Sequence, residues 1–118
     1  STWPNTFKVA RFVPAVEYIR ANRIRRQIML EMHKLFLEVD AYVVPSYGGD
    51  NMLLTNLTGH PAVVVPNGFR ASDGTPTSIT FQGKLYGEAL LLATAQHFQR
   101  ETGFHLRRPP RPQPAAKA

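Results

Sequence analysis

The sequence predicts an α/β fold: a fragment of a larger mixed-sheet α/β sandwich, with about three strands and two long helices. Three observations carry this. Ala62-Val63-Val64-Val65 is apolar at consecutive rather than alternate positions, the pattern of a strand covered on both faces. Two long stretches, one starting at Pro14 and one at Leu85 or Tyr86, repeat apolar residues at helical spacing. Two such helices are too few to cover both faces of a buried sheet, so the 118 residues are expected to be a piece of a larger domain.

Taken in order, Ser1 to Val13 reads as irregular, with a short extended piece at Phe7-Lys8-Val9 and with Trp3, Phe7 and Phe12 as packing anchors. Pro14 suits the first position of a helix, where its missing N–H costs no bond. That helix runs to about Val39 on the stripe Ile24, Ile28, Met32, Leu35, Phe36 and Val39, with Glu17–Arg20 or Arg23–Glu31 as surface pairs. Ala41–Val44 is the next strand, Pro45 to Asn51 a loop, and Met52 to Leu57 one or two helical turns. The valine strand is bracketed by Pro61 and Pro66, with turn chemistry at Asn56–Gly59 and Asn67-Gly68. The crossover from Ala41–Val44 is long enough to make the two strands a parallel pair. Asp73-Gly74 marks a hairpin tip, followed by a less buried strand, Thr77–Gln82, antiparallel to the valine strand. The second long helix runs to about Thr102, with Gly103 as its stop. Leu90-Leu91-Leu92-Ala93 is apolar nearly all round and expects neighbours on more than one side.

Composition narrows the function. The apolar fraction is 43%, with no run near the roughly 18 residues of a membrane span. There is no Cys, which removes disulfides and thiolate metal sites and points weakly to a cytoplasmic setting. The net charge of +6 gathers at Arg20, Arg23, Arg25 and Arg26 and in the Pro-rich end, at Arg107, Arg108, Arg111 and Lys117. No aromatic residues interleave with these arginines as a base-stacking surface requires, so a solvated helix face is favoured over nucleic-acid binding. His33, His60, His97 and His105 lack metal-ligand spacing, and no cofactor is expected. His60 reads as a loop residue with one satisfied nitrogen. Ser46 lies in Pro-Ser-Tyr-Gly-Gly, which is not a Gly-x-Ser-x-Gly elbow, so a structural or pocket-lining hydroxyl is favoured over a nucleophile. Gly48-Gly49 lacks the Gly-Lys-Ser/Thr of a phosphate loop. Asn56-Leu57-Thr58 fits a glycosylation sequon but better fits a turn.

The chain holds, in order, Asp40, Pro45-Ser46, Asn56-Leu57-x-Gly59-x-Pro61-Ala62, Pro66-x-Gly68, Gly74-x-Pro76, Gly83 and Glu88. With the lead Tyr18-x-x-Ala21 ending in Arg23 or Arg25, this set resembles the C-terminal segment of the amidase signature family over residues 12 to 102. It is most similar to bacterial amidases related to the A subunit of the tRNA-dependent amidotransferases. The resemblance implies amide hydrolysis by a Ser–cis-Ser–Lys triad with a backbone oxyanion hole. The family's Gly/Ser-rich signature is missing here, and none of Lys8, Lys34, Lys84 and Lys117 adjoins a Gly/Ser run, so no catalytic residue is assigned. What carries over is a wall of the substrate pocket at the end of a strand: Ser46, Tyr47, Gly49, Asp50 and Asn51. The amidotransferase branch has an Asp at the position of Gly49; here Asp50 follows one residue later in a shorter loop.

On this reading residues 1–106 are the C-terminal segment of an amidase-like α/β domain and 107–118 a disordered Pro/Arg-rich tail. The expected function is scaffold and substrate pocket of a hydrolase acting on carbon–nitrogen bonds, inactive alone. Its expected partners are a small-molecule amide substrate in the intact enzyme and the rest of the amidase domain or another copy of the chain, with no membrane. The alternative is a stand-alone basic module that binds RNA or another anion.

Overall fold

A computed structural model describes residues 2–108. The order is α1 (Trp3–Ala10), α2 (Ala15–Glu38), β1 (Ala41–Pro45), α3 (Asn51–Thr58), β2 (Ala62–Phe69), β3 (Pro76–Gly83) and α4 (Glu88–Thr102), then a 3-10 turn at Phe104–Leu106. This is the α/β class the sequence predicts, with α2 and α4 as the long helices.

The N-terminal segment departs from expectation by being helical. Pro4 sits in the first turn of α1, where no N–H is needed. Trp3 and Phe7, one turn apart, bring their rings to 5.8 Å. Trp3, Phe7 and Phe12 are nonetheless 74%, 66% and 84% exposed, so they anchor nothing here.

Pro14 caps α2 rather than opening it. Only Met32 and Phe36 of its stripe are buried, and Ile24 is exposed. Arg20 pairs with Glu17 at 2.7 Å, while Glu31 pairs with Lys34 at 2.8 Å and not with Arg23.

The sheet order is β1-β3-β2, and both pairings are antiparallel. β1 and β2 therefore run in the same direction but do not pair, because β3 lies between them. This corrects two expectations. The valine strand is an edge: Val65, facing the α4 side, is buried, while Val64 is 58% exposed. The strand expected to be less buried is the central one, with Thr80 and Gln82 both buried. Its polar residues are covered because they face hydrogen-bonding groups on the loop after β1 and on α3, not water. β2 also continues through Asn67-Gly68, with a register irregularity between Pro66 and Gly68 where the proline has no N–H for the ladder.

The β2–β3 turn forms as expected. The Arg70 N–H donates to the Thr75 carbonyl at 2.8 Å, the Thr75 N–H donates to Asp73 Oδ1 at 3.0 Å, and Gly74 takes φ +71°. α4 begins at Glu88, later than its apolar pattern suggests, because Lys84 to Gly87 closes a turn through the Gly87 N–H and the Lys84 carbonyl at 2.9 Å. Gly103 stops it in the left-handed region at φ +65°. Leu91 and Ala95 are buried on the sheet, and Phe98 meets Phe81 edge-on at 5.7 Å. Leu90 and Leu92 stay exposed, so the all-round apolar face has cover on one side.

Arg107, the first residue of the expected tail, lies over the rings of Phe69 and Phe104 at 5.8 and 5.5 Å. The rest of that tail, from residue 109, lies outside the described residues. Among the described residues no helix is long and apolar enough to cross a membrane.

Candidate functional site

β1 ends at Pro45, and residues 46–50 carry the chain into α3. Ser46 is held against the central strand: its N–H donates to the Ser78 carbonyl at 3.4 Å, and its Oγ accepts from Thr80 Oγ1 at 3.0 Å. Among the described residues the Ser46 hydroxyl has a threonine and not a base as its side-chain partner. Tyr47 is 92% exposed. The Gly48 N–H closes a turn on the Pro45 carbonyl at 3.2 Å. Gly49 takes φ +65°, which a side chain disfavours, so the glycine at this position has a backbone reason.

Asp50 precedes α3 at its N-cap, yet its carboxylate caps no N–H and stays exposed. Asn51 turns inward: its Nδ2 donates to the Gly48 carbonyl at 3.1 Å. The Asn51 carbonyl accepts from Thr55 Oγ1 at 3.2 Å and from Gln82 Nε2 at 3.5 Å.

The structure thus divides the five sequence-derived residues. Ser46 and Asn51 line a cavity of about 70 Å³ between the loop, α3 and the central strand. Tyr47, Gly49 and Asp50 sit on the outer surface of the loop. Thr55, Thr80 and Gln82 line the cavity as well, beside the apolar Val44, Pro45, Met52, Ala62 and Val64, and sequence reasoning misses the three polar ones. A signal for two of them is present, since Thr80 and Gln82 alternate along one face of a strand, but polar alternation alone points to a solvent face.

The far end of α3 is also fixed. Gly59 ends the helix at φ +81°, and Arg25 on α2 donates from Nε to the Leu57 carbonyl. His60 follows, with Nδ1 2.8 Å from Thr58 Oγ1 and its ring stacked 4.9 Å from Phe36. That is the loop histidine with one satisfied nitrogen, and burial holds its pKa below the ordinary imidazole value. Along α2, Arg25, Met29, His33, Phe36, His60 and Leu85 line an open groove of about 720 Å³. Among the described residues no three His, Asp or Glu side chains come together as a metal-holding group.

No family model matches the chain. A glutamyl-tRNA(Gln) amidotransferase from Chloroflexus aggregans has an A subunit that is 35% identical over 111 residues, spanning 78% of this chain and 22% of that protein. A Mycobacterium tuberculosis protein named as an amidase, AmiD, is 32% identical over 118 residues, spanning 81% of this chain and 25% of that protein. The chain is homologous to amidases. Solved structures agree on the fold of this amidase-related segment. The allophanate hydrolase of Kluyveromyces lactis superimposes with a TM-score of 0.70 at 26% identity, covering 83% of this chain and 19% of that one. An amidase family protein from Bacillus anthracis gives 0.73 at 24% identity, covering 86% and 20%, a likeness of fold alone. The chain spans about a quarter or less of the length of the curated relatives it matches.

Proposed function

We propose that this chain is the scaffold and substrate-pocket segment of an amidase-like hydrolase that cleaves carbon–nitrogen bonds. The observation that carries the reading is positional. In an amidase-related fold the Ser46–Asn51 loop leaves the carboxyl end of β1, where α/β enzymes build their sites, and its two ends are tied to Thr80 and Gln82 of the central strand. The nucleophilic chemistry is assigned to residues outside this segment, because Ser46 has a threonine and not a base as its partner. The basic-module alternative is weaker, since Arg20 is engaged by Glu17 and Arg25 by the Leu57 carbonyl.

The test is hydrolysis of a simple aryl amide by the intact protein that carries this segment, with ammonia or amine release as readout. Turnover supports the reading. An inert intact protein whose binding to RNA weakens steeply with salt supports the alternative instead.

A further inference from the structure

Only Met32 and Phe36 of the 24 residues of α2 are buried. Its face toward His60 and the Lys84–Gly87 turn stays open as the groove of about 720 Å³. Leu30, Leu37 and Leu85 line that groove and are exposed. From Arg26 to Leu37 the open face runs for three helical turns, about 16 Å. Arg25, Arg26 and Lys84 also line it, and no Asp or Glu does. Lys84 is answered by Asp40 at 2.7 Å. Arg26 has no ion pair among the described residues.

A second observation falls beside this groove. Leu85 and Tyr86 form the middle of the turn that the Gly87 N–H closes on the Lys84 carbonyl at 2.9 Å. Tyr86 takes φ +62°, a positive value found at no other non-glycine among the described residues. The third place of such a turn calls for Gly or Asn, and a bulky side chain there is strained. Tyr86 is 94% exposed, so its ring packs on almost nothing in this segment to offset the strain. Strain kept without local return marks a position with a use elsewhere. That use is not in the candidate pocket. The turn follows Gly83, which pairs with Ala41 at the start of β1, whereas the Ser46–Asn51 loop leaves the other end of that strand.

We propose that this groove, with Tyr86 at its edge, is the docking surface for an amphipathic helix edged with Asp or Glu, supplied by the intact protein from outside this segment. Three turns of open apolar helix face suit helix-on-helix packing. The unanswered Arg26, in a groove without carboxylates, selects the acidic edge. The relatives show where such a helix can come from: the matched segment is 25% and 22% of their length, so most of each lies elsewhere. A second copy of this chain brings a net charge of +6 to a basic groove and is disfavoured. The occupant follows from length and charge, not from amide chemistry.

The photoreactive residue p-benzoylphenylalanine is placed in the intact protein at Leu30, at Tyr86 and, as a control off the groove, at Gln27. On irradiation the first two are expected to join, within one polypeptide, to peptides outside this segment that carry Asp or Glu beside an apolar stripe, and Gln27 is expected to join to none. Failure of Leu30 or Tyr86 to capture such a peptide, capture of one without acidic residues, or two polypeptides joined on a denaturing gel overturns the docked helix. Melting temperatures add a contrast of sign. Tyr86→Gly relieves the strained turn, so it is expected to hold or raise the melting temperature of the 118-residue chain and to lower that of the intact protein by a few degrees. A fall in both, or in neither, removes Tyr86 from the interface. Arg26→Glu is expected to destabilise the intact protein more than Arg23→Glu, and equal effects remove the acidic edge. Should a variant fail to fold, the cross-links decide alone. Amide turnover by an intact protein that shows no capture sinks the docked helix only; a captured helix in a protein that hydrolyses no amide sinks the amidase reading only.

Discussion

His60 stacks on Phe36 with ring centroids 4.9 Å apart and planes 18° from parallel, and so joins the loop after α3 to the buried end of α2. Burial lowers the pKa of this imidazole in the fold. The unfolded chain, with an ordinary value near 6.5, then binds the proton more readily than the folded one. The stability contribution of neutral His60 is fully present above that unfolded value and is lost as pH falls through it toward the folded pKa. Thermal unfolding between pH 8 and 5 is expected to show a larger loss for the wild type than for His60→Gln. Equal losses in the two proteins would assign the acid sensitivity to other groups.

The contact of Arg25 with the Leu57 carbonyl makes a second prediction. The last carbonyls of a helix lack internal partners, and a cation there is favourable. Arg25→Ala is expected to cost about 1 kcal/mol, read by urea unfolding, and Arg25→Lys to recover part of it. Arg23→Ala, at a neighbouring exposed position, is expected to change stability by less than about 0.5 kcal/mol. If the two alanine variants unfold alike, α3 is not held by this contact.

Adjacent valines on β2 should respond in opposite ways. Val65 is 2% exposed and Val64 is 58% exposed. Val65→Asp places a charge in the core and is expected to abolish cooperative unfolding. Val64→Asp reaches water and is expected to stay within about 1 kcal/mol of wild type. Circular dichroism melts of both variants check this. A Val64→Asp protein that cannot fold would mean that another surface covers this edge.

Those valines also show how far the sequence was legible. Period and turn chemistry are local, and they placed α2, β1, β3, α4, the Asp73-Gly74 turn and the Gly103 stop close to where they lie. Strand order is not local. A run of valines and an alternating Ser/Thr/Gln strand carry no mark of which is central, and the ordinary link between apolar and buried gave the wrong answer for both. Ser46 and Asn51 are what bury Thr80 and Gln82, and they lie more than thirty residues away in sequence. The loop of the candidate site was legible from its glycines and its place after a strand. Its cavity was not, because much of its lining comes from other strands and from α3. The helical Trp3–Ala10 was missed because an eight-residue helix offers too few turns for a period to declare itself.

The loop makes the last prediction, for kinetics of the intact protein on the proposed amidase reading. Asp50 and Asn51 are neighbours in sequence and differ in what they touch. The Asp50 carboxylate is exposed and makes no cap bond, so nothing in the fold depends on it. The Asn51 side chain closes the loop on the Gly48 carbonyl at 3.1 Å, and its place beside the cavity fixes the carbonyl that orients Gln82. On the proposed reading bond breaking belongs to residues outside this segment. Asp50→Ala is therefore expected to change KM or the preference between a neutral and a cationic amide while kcat stays within about tenfold, the pattern of lost uniform binding. Asn51→Ala should do more, since it frees the loop: a larger rise in KM on both amides, together with a fall in melting temperature that Asp50→Ala does not show. Steady-state kinetics on two amides of different charge, with melting curves for both variants, separate the cases. Wild-type kinetics from both variants would remove this loop from the pocket wall. A kcat loss far beyond tenfold from Asp50→Ala alone would put that carboxylate in the chemistry.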